Sequence, residues 1–399
     1  MDKKQNVYKI IMLLALTIVI TVIITSLVVY DALGGNSIKY IVNTGESSSI
    51  GKTFYNLKNF IEQKYIGEID EEKMLDYAIK GYVYGLGDEY SEYITKEEMG
   101  EYIEQATGTY VGIGVYIAND TENNELLIVG VMKGGPAEEA GMQPGDVVTK
   151  IDGVEYKGEQ LNEATEKLKG EAGTTILLTV NRNGEEIELQ VTRNKVKTSH
   201  VEGEVLESNI GYIQITSFDE GCYEEFKQKY EELAKQNIQS LIIDLRNNGG
   251  GMVDEAVDIA DLMIEKDKTI LITKNKQGEE ITKAKQDRII TIPVAILINE
   301  NTASASEILA GAVKECDAAT IIGEKSYGKG VIQTIFTLSD GSGIKLTTDE
   351  YFTPNHNTIN HIGITPDIEV SLPEDANIYN IERSQDTQLQ KAIEHFTNE

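Results

Sequence analysis

Residues 292–311 read IPVAILINENTASASEILAG, which is a continuous apolar run, a turn of small and polar residues, and a segment with apolar residues at helical spacing. A continuous apolar run is typical of a strand that is covered on both faces, as in a layered α/β core. The stretch SLIIDL at 240–245 has the same character. Strand-like and helix-like segments alternate around these two runs from residue 210 to residue 323. We therefore predict a layered α/β core over this part of the chain.

Ser304 stands where the turn meets the predicted helix, and the sequence supports two interpretations of it. In the first, Ser304 and Glu307 form a capping box, in which each side chain binds a backbone N–H of the first helical turn. In the second, Ser304 is a nucleophile, because the N–H of Ala305 and the helix dipole both favour a developing negative charge there. A serine attacks only when a base takes its proton, so the second interpretation requires a partner.

Lys329 is the candidate partner, and it lies between two glycines in YGKGVIQ at 327–333. It could be an ordinary exposed lysine in a loop. Alternatively, the apolar strand predicted after it places it at the edge of a core, where burial lowers the pKa of a lysine and makes it a usable base. Gln333 could orient the amine, although residues four apart in an extended strand lie roughly 13 Å apart. A helical turn or a bulge would be needed to bring the two together.

A glycine-rich loop, LRNNGGG at 245–251, follows the second buried strand. It could be a plain connection between a strand and a helix. Phosphate binding is disfavoured because the pattern GxxxxGK[ST] is absent. Consecutive glycines at the carboxyl end of a parallel strand permit close approach of a ligand, so the loop could supply a second donor to an oxyanion.

Taken together, TASASE, GKGVIQ, LRNNGGG and the glycine-rich module before them resemble the C-terminal processing peptidases, also called tail-specific serine proteases. The resemblance covers nearly all of the chain beyond the apolar N-terminal run. It implies that Ser304 is the nucleophile, Lys329 the general base and Gln333 the group that orients the lysine. It also implies that the backbone N–H groups of Ala305 and Gly251 form the oxyanion hole, and that the core has the crotonase-like layered fold.

Residues 108–195 contain short strand-like runs, two short helical patterns and Gly/Pro turns. This segment resembles the PDZ domain that is inserted in these enzymes. The resemblance implies that Gly112, Ile113, Gly114 and Val115 form the loop that binds a peptide's terminal carboxylate through backbone N–H groups. The expected partners are therefore protein or peptide substrates with apolar C-termini.

The N-terminal run from Ile10 to Tyr30 contains no charged residue. About twenty helical residues span the hydrocarbon layer of a membrane. A cleaved signal peptide is the alternative, but its apolar region is usually shorter. Lys3, Lys4 and Lys9 precede the run and favour a cytoplasmic N-terminus. We predict a single-pass protein of the cell membrane with its catalytic domain outside the cytoplasm.

The predicted organisation of the 399 residues is multidomain, α/β and α+β, in five parts. These are a cytoplasmic tail and transmembrane anchor (1–31), a stalk and N-terminal helical region (32–107), the PDZ domain (108–195), the Ser/Lys peptidase core (196–372) and a C-terminal helical tail (373–399). The helical region could form the contact of a homodimer.

Composition excludes several classes of function. A net charge of −30 disfavours nucleic acid as a partner, and it gives little support to an acyl-CoA enzyme of the crotonase class, which would want basic residues for the CoA phosphates. Two cysteines and four scattered histidines give neither a disulfide framework nor a zinc motif. We therefore predict no metal and no cofactor.

One alternative function remains, a catalytically inactive PDZ-containing binding or scaffold protein on the same fold. The presence of Ser304, Lys329 and Gln333 together argues against it, because an inactive relative has no need of them. The chain departs from the family pattern at Asn247 and Asn248, before the triple glycine. We expect that departure to affect the substrate groove and to leave the reaction intact.

Overall fold

The structure is a computed structural model that describes residues 49–373, residue 376 and residues 381–397. The predicted anchor lies outside these ranges. Among the residues that the structure describes, no helix is both long enough and apolar enough to cross a membrane. The chain divides into two compact units. The first comprises residues up to Met99 together with Gln333–Thr347, and the second comprises Gly100–Ile332 together with the residues from Thr348 onward.

The first unit begins with helices that carry apolar stripes. Its N-terminal elements are α1 (Ser49–Lys64), α2 (Glu71–Tyr84), β1 (Glu92–Ile94) and the start of α3 (Lys96–Thr107). Helix α2 begins where the carboxylate of Asp70 accepts the N–H of Lys73 at 3.0 Å, which caps the helix. Helix α1 has no buried residue, and its Phe60 is 61% exposed. The helical character predicted for the N-terminal region is confirmed between residues 49 and 107.

In the second unit, residues 109–197 form a small antiparallel β domain. Its elements are β2 (Thr109–Gly112), β3 (Val115–Asp120), β4 (Glu125–Val131), α4 (Pro136–Glu139), β5 (Val147–Ile151), β6 (Val154–Glu155), α5 (Leu161–Leu168), β7 (Thr175–Arg182), β8 (Glu185–Thr192) and β9 (Asn194–Lys197). Strands β3, β4, β5, β7 and β8 pair in that order, β6 pairs with β5, and β2 pairs with β9. Strands β7 and β8 form a hairpin at Asn183-Gly184, where both residues have positive φ. Strands β2 and β3 are separated where Gly114 adopts φ +78°.

The rest of the second unit is built around a six-stranded sheet. Its elements are β10 (Val201–Val205), β11 (Ile210–Ile215), α6 (Cys222–Ala234), β12 (Ser240–Asp244), α7 (Val253–Asp261), β13 (Thr269–Lys274), β14 (Glu279–Lys283), β15 (Val294–Ile298), α8 (Ala305–Glu315), β16 (Thr320–Gly323), β19 (Ile368–Glu369) and α9 (Thr387–Thr397). The sheet order is β10-β11-β12-β15-β16-β19, and every pair is parallel except β10 with β11.

Both faces of this sheet are covered by helices. Every residue of β12 and β15 is buried. On one face Ile243 and Ile296 pack with helices α6, α7 and α8, and on the other Ile242 and Leu297 pack with Leu389 of α9. The layered α/β core predicted from the apolar runs is confirmed, because only a two-sided sheet buries consecutive residues.

Two further strands follow β16 in the chain, β17 (Val331–Thr337) and β18 (Gly343–Phe352). In the first unit, β1 pairs with the beginning of β18, with Glu92 opposite Lys345. In the second unit, the end of β18 pairs with β13, and β13 pairs with β14.

Candidate functional site

Ser304 lies between β15 and α8 in a backbone conformation that residues other than glycine rarely adopt. Its φ is +56° and its ψ is −118°, and strained positions of this kind cluster at functional sites. The turn before it is held by Thr302, whose hydroxyl donates to the carbonyl of Leu245 at 2.9 Å. Ser304 is half-buried, so the strain is located where a substrate could reach it.

The carboxylate of Glu307 joins the serine segment to the lysine loop. Its Oε2 accepts hydrogen bonds from the backbone N–H groups of Ser304 and Lys329, each at 2.9 Å. Its Oε1 accepts from the hydroxyl of Ser326 at 2.6 Å and from the N–H of Gly328 at 2.7 Å. Glu307 is fully buried, and these four donors supply the partners that a buried carboxylate needs. Because one oxygen binds both N–H groups, the backbones of Ser304 and Lys329 adjoin.

Tyr351 connects the same two backbones through their carbonyl groups. Its hydroxyl lies 3.1 Å from the carbonyl oxygen of Ser304 and also contacts the carbonyl oxygen of Lys329. The Tyr351 N–H donates to the carbonyl of Gly330 at 3.0 Å. Tyr351 is 1% exposed and Lys329 is half-buried. The structure thus places Lys329 at the edge of the core, as the apolar strand after it predicted.

The glycine-rich loop passes directly beside the serine. A Cβ on Gly250, which has φ +105°, would lie 2.8 Å from the Cβ of Ser304 and 2.9 Å from the nitrogen of Ala305. A Cβ on Gly251, at φ +140°, would lie 2.6 Å from the carbonyl oxygen of Phe218. Only glycine fits at these two positions. The structure therefore brings together the loop, the serine and the start of helix α8, as predicted.

A buried ion network stands at the beginning of that loop. The guanidinium of Arg246 is bidentate to Asp386, at 2.8 and 2.9 Å, and also binds the carboxylate of Asp244. Burial alone would lower the pKa of Arg246, but the two carboxylates raise it above its usual range. Burial and Asp244 raise the pKa of Tyr212, whose hydroxyl donates to Asp244 at 2.7 Å. Arg246, the second residue of the glycine-rich loop, is thus held by Asp386, which caps the first turn of helix α9.

Comparison with known proteins identifies the family. The model of peptidase family S41 matches residues 209–370, a PDZ domain model matches 127–182, and a model of the N-terminal domain of the activating protease CtpB matches 42–98. Carboxy-terminal processing protease CtpA of Bacillus subtilis (strain 168) is 35% identical over 367 residues, which cover 90% of this chain and 78% of that protein. This chain belongs to peptidase family S41.

Further relatives agree with this assignment. A protein of Staphylococcus aureus (strain COL) named "Probable CtpA-like serine protease" is 35% identical over 335 residues, which cover 83% of this chain and 67% of that protein. The solved structure of an S41 protease from Bacteroides fragilis NCTC 9343 superposes with a TM-score of 0.53 at 15% identity, covering 80% of this chain and 90% of that one, and it shows the shared fold. The S41 peptidase described here is thus a serine peptidase that carries a PDZ domain.

Gln333 belongs to the first compact unit, whereas Ser304 and Lys329 belong to the second. It lies in strand β17, and its Nε2 donates to the hydroxyl of Thr347 at 3.2 Å. Its role in orienting the lysine stays a prediction.

The predicted carboxylate loop of this S41 peptidase lies between β2 and β3. Its carbonyl groups are used inside the domain: that of Ile113 accepts from Ala137 at 2.8 Å, and that of Gly114 accepts from Met132 at 3.0 Å. In a trans peptide the N–H of the next residue points the opposite way, so the N–H groups of Gly114 and Val115 point away from these partners. Strand β3 is the edge strand of its sheet, which is the position that strand addition by a peptide requires.

Sequence reasoning missed the second role of Glu307. The pattern Ser-x-x-Glu was interpreted as a helix cap, and the Glu307 half of that cap is present. The same carboxylate also holds the lysine loop, which no local spacing could indicate. Among the described residues, no group of three or more His, Cys, Asp and Glu side chains converges as a metal site would require.

Proposed function

We propose that this S41 peptidase is a membrane-anchored Ser/Lys endopeptidase that cleaves extracytoplasmic proteins after recognising their C-termini through its PDZ domain. The observation that carries the proposal is the carboxylate of Glu307, which binds the backbone N–H groups of Ser304 and Lys329 at the same distance. Two residues joined in this way can act as one catalytic unit. The name of the Bacillus subtilis relative supports processing at the carboxyl terminus.

In the proposed reaction, the hydroxyl of Ser304 attacks the carbonyl of the scissile peptide while the amine of Lys329 takes the hydroxyl proton. The negative charge that develops on the carbonyl oxygen is stabilised by the N–H groups of Ala305 and Gly251. Lys329 then gives its proton to the departing amine, and water hydrolyses the acyl-enzyme in a second round of the same transfers. Gln333 orients the amine of Lys329.

A fluorophosphonate probe tests this mechanism, because it labels only a serine that is activated as a nucleophile. We expect the wild-type chain to be labelled and to hydrolyse peptides, and Ser304→Ala to do neither. Ser384→Ala, at an exposed position, is the control that should match wild type. Ser306→Ala should still be labelled, since the buried hydroxyl of Ser306 donates to the carbonyl of Asn248 and not to a substrate. A wild-type chain that resists the probe would favour the inactive scaffold instead.

We further propose that the N-terminal helices form a homodimer contact. A groove of about 1010 Å³ runs between α1 and α2, and apolar side chains such as Phe54, Leu57 and Met74 line it. A second copy of the chain would cover this face symmetrically. Sedimentation velocity should give a dimer for wild type and a monomer for Phe60→Glu, and a monomeric wild type would contradict the contact.

The anchor proposal rests on the uncharged run Ile10–Tyr30. Alkaline carbonate should leave the protein in the membrane fraction, and protease added outside intact cells should digest its catalytic domain. Release by carbonate would contradict the anchor.

A further inference from the structure

Asn248 lies inside the loop that passes Ser304, and all of its polar groups have partners. It is fully buried. Its carboxamide nitrogen donates to the carbonyl of Ile215, the last residue of β11, at 2.8 Å. Its carboxamide oxygen accepts the N–H of Gly250 at 2.8 Å, which is the local turn that asparagine side chains characteristically form. One side chain therefore ties the glycine-rich loop to the carboxyl end of strand β11 in the central sheet.

The backbone of Asn248 binds the residues on both sides of the serine. Its carbonyl oxygen accepts the N–H of Ala303 at 3.0 Å and the hydroxyl of Ser306 at 3.0 Å. Asn248 is thus bonded to the glycine loop through its side chain and to the serine segment through its backbone. Together with the bond from Thr302 to Leu245, these contacts fix the relative position of the two segments.

The hydrogen bond from Asn248 holds the peptide group before Gly250, and Phe218 holds the peptide group after it. The carbonyl of Gly250 accepts the N–H of Phe218 at 2.9 Å, and the N–H of Met252 binds the carbonyl of Phe218 at 2.7 Å. Gly251 lies between these two bonds, and its N–H is in the same trans peptide as the Gly250 carbonyl. That N–H therefore points away from Phe218, so it is free of the strand pairing that its neighbours make.

We infer that Asn248 is a positioning residue for the oxyanion hole, because it holds Gly250 beside Ser304, and the carbonyl of Gly250 shares its peptide plane with the N–H of Gly251. The inference rests on the proposed Ser/Lys function and deepens it. It also revises the expectation that the asparagines before the triple glycine affect only the substrate groove. Asn248 touches no reacting atom, and its effect is exerted through Gly250.

The test uses the full chain and three variants: Asn248→Ala, Asn248→Asp and the control Asn162→Ala, which changes an exposed asparagine of helix α5, away from the serine. For each, kcat and KM are measured with one peptide. Inhibition is measured with a peptide aldehyde, which forms a hemiacetal with the serine hydroxyl and places its oxygen in the hole. The corresponding peptide alcohol cannot form that bond and reports ordinary binding.

We expect Asn248→Ala to lower kcat about 100-fold, as the loss of one oxyanion donor does, with KM changed less than about twofold. Aldehyde affinity should fall by a similar factor, alcohol affinity should not change, and Asn162→Ala should match wild type. A purely structural role would instead lower the melting temperature and leave the ratio of aldehyde to alcohol affinity unaltered, and that outcome would overturn the inference.

Asn248→Asp provides a second readout should the alanine variant fail to fold. The aspartate still accepts the N–H of Gly250, but when ionised it cannot donate to Ile215. The protonated aspartic acid can donate to Ile215, so the ratio of the kcat of Asn248→Asp to that of wild type should rise as the pH falls. A ratio independent of pH would contradict the inference.

The two proposals fail in distinguishable ways. A wild-type chain that neither hydrolyses the peptide nor prefers the aldehyde to the alcohol would overturn the proposed function, and the inference with it. A wild-type chain that does both, while Asn248→Ala keeps its kcat and its aldehyde affinity, would overturn the inference alone.

Discussion

Lys329 allows a test that separates a proton acceptor from a positive charge. Lys329→Ala and Lys329→Arg should both lose peptide hydrolysis as fully as Ser304→Ala, because a guanidinium keeps its proton and members of one catalytic unit are not additive. Lys325→Ala, at an exposed position of the same loop, should remain active. The wild-type rate should fall on acidification as the amine becomes protonated. A rate that is flat from about pH 5 to about pH 9 would argue against a lysine base.

Glu307 gives a prediction about a side chain that organises the site without reacting. In Glu307→Gln an amide nitrogen replaces one oxygen and can no longer accept. The new NH2 group is best placed toward Ser326, because the serine hydroxyl can turn and accept a hydrogen bond from it. The N–H of Gly328, which shared that carboxylate oxygen, is then left without an acceptor. An unpaired buried N–H lowers the free energy of unfolding by about 1–3 kcal/mol. We expect a lower melting temperature together with a much lower kcat.

Glu315→Gln is the matched control for that variant. Glu315, at the other end of helix α8, also binds several donors, among them the hydroxyl of Thr353 and the N–H of Asn355, each at 2.7 Å. Glu315→Gln should reduce the melting temperature and leave kcat close to the wild-type value. An equal fall of kcat in both variants would show that Glu307 acts on stability only.

At the residue scale, the sequence indicated the candidate pair Ser304 and Lys329 better than the residues that hold their backbones together. Ser304 and Lys329 were indicated by their neighbours, namely small residues at a helix start and glycines at a strand start. The φ of Ser304 and the four donors around Glu307 could not be predicted, because they arise where separate segments meet. Local spacing contains no information about such contacts.

Among the elements, the turn before β5 of the PDZ domain depends on a buried carboxylate. Asp146 is fully buried, and Arg182 donates to it through Nε at 2.6 Å and through a second nitrogen at 2.7 Å. Burial tends to raise the pKa of Asp146, but the hydrogen bonds from Arg182 and Gln143 outweigh it and hold the pKa below its usual range. The folded pKa is thus lower than the unfolded one, so this group stabilises the domain at neutral pH.

Asp146→Asn should therefore lower the free energy of unfolding at neutral pH by about 3 kcal/mol. The stabilisation from Asp146 is complete above the ordinary pKa of an aspartate, and it is lost as the pH falls through the lower pKa of the folded state. The free energies of unfolding of wild type and Asp146→Asn should therefore converge below about pH 4. Glu186→Gln breaks an ion pair with Lys150 that is largely exposed and should change stability by less than about 1 kcal/mol. Thermal melting at several pH values measures the stability of both variants. A difference in stability between Asp146→Asn and wild type that does not change with pH would contradict a lowered pKa of Asp146.

Most elements followed from apolar periodicity, and those that did not are short and polar. The buried strands β12 and β15 lie in the two apolar runs that predicted them. Strand β14 reads EEITK and has no buried residue, and β10 alternates around a glycine. These strands form because a neighbouring strand offers an edge, so their own sequences carry little signal.

For the whole molecule, the PDZ domain predicts a preference for free carboxyl termini. Of two peptides that differ only at the C-terminus, the free acid should be cleaved faster than the amide, because backbone N–H groups bind a carboxylate more strongly than a neutral amide. Deletion of residues 108–195 should abolish that preference, whether or not the basal rate changes. An intact enzyme that cleaves both peptides equally would refute recognition of the tail and leave the Ser/Lys chemistry standing.

The order of the domains could be predicted from the sequence, but the long-range contacts within them could not. The S41 core and the PDZ domain were both indicated by motifs. The contact between Arg246 and Asp386 joins residues 140 positions apart, and no motif near either residue predicts the other. Such a pair becomes visible only when the sheet and the helix that covers it are both placed.

The contact between Arg246 and Asp386 also has a consequence for the order in which the chain is synthesised. A growing polypeptide lengthens by about 5–20 residues per second, so Arg246 is made roughly 7–30 seconds before Asp386. During that interval the arginine has only one of its two carboxylates, and the loop after it lacks the support of helix α9. The segment that passes Ser304 would thus gain its full support only after α9, almost the last element of the chain, has been made.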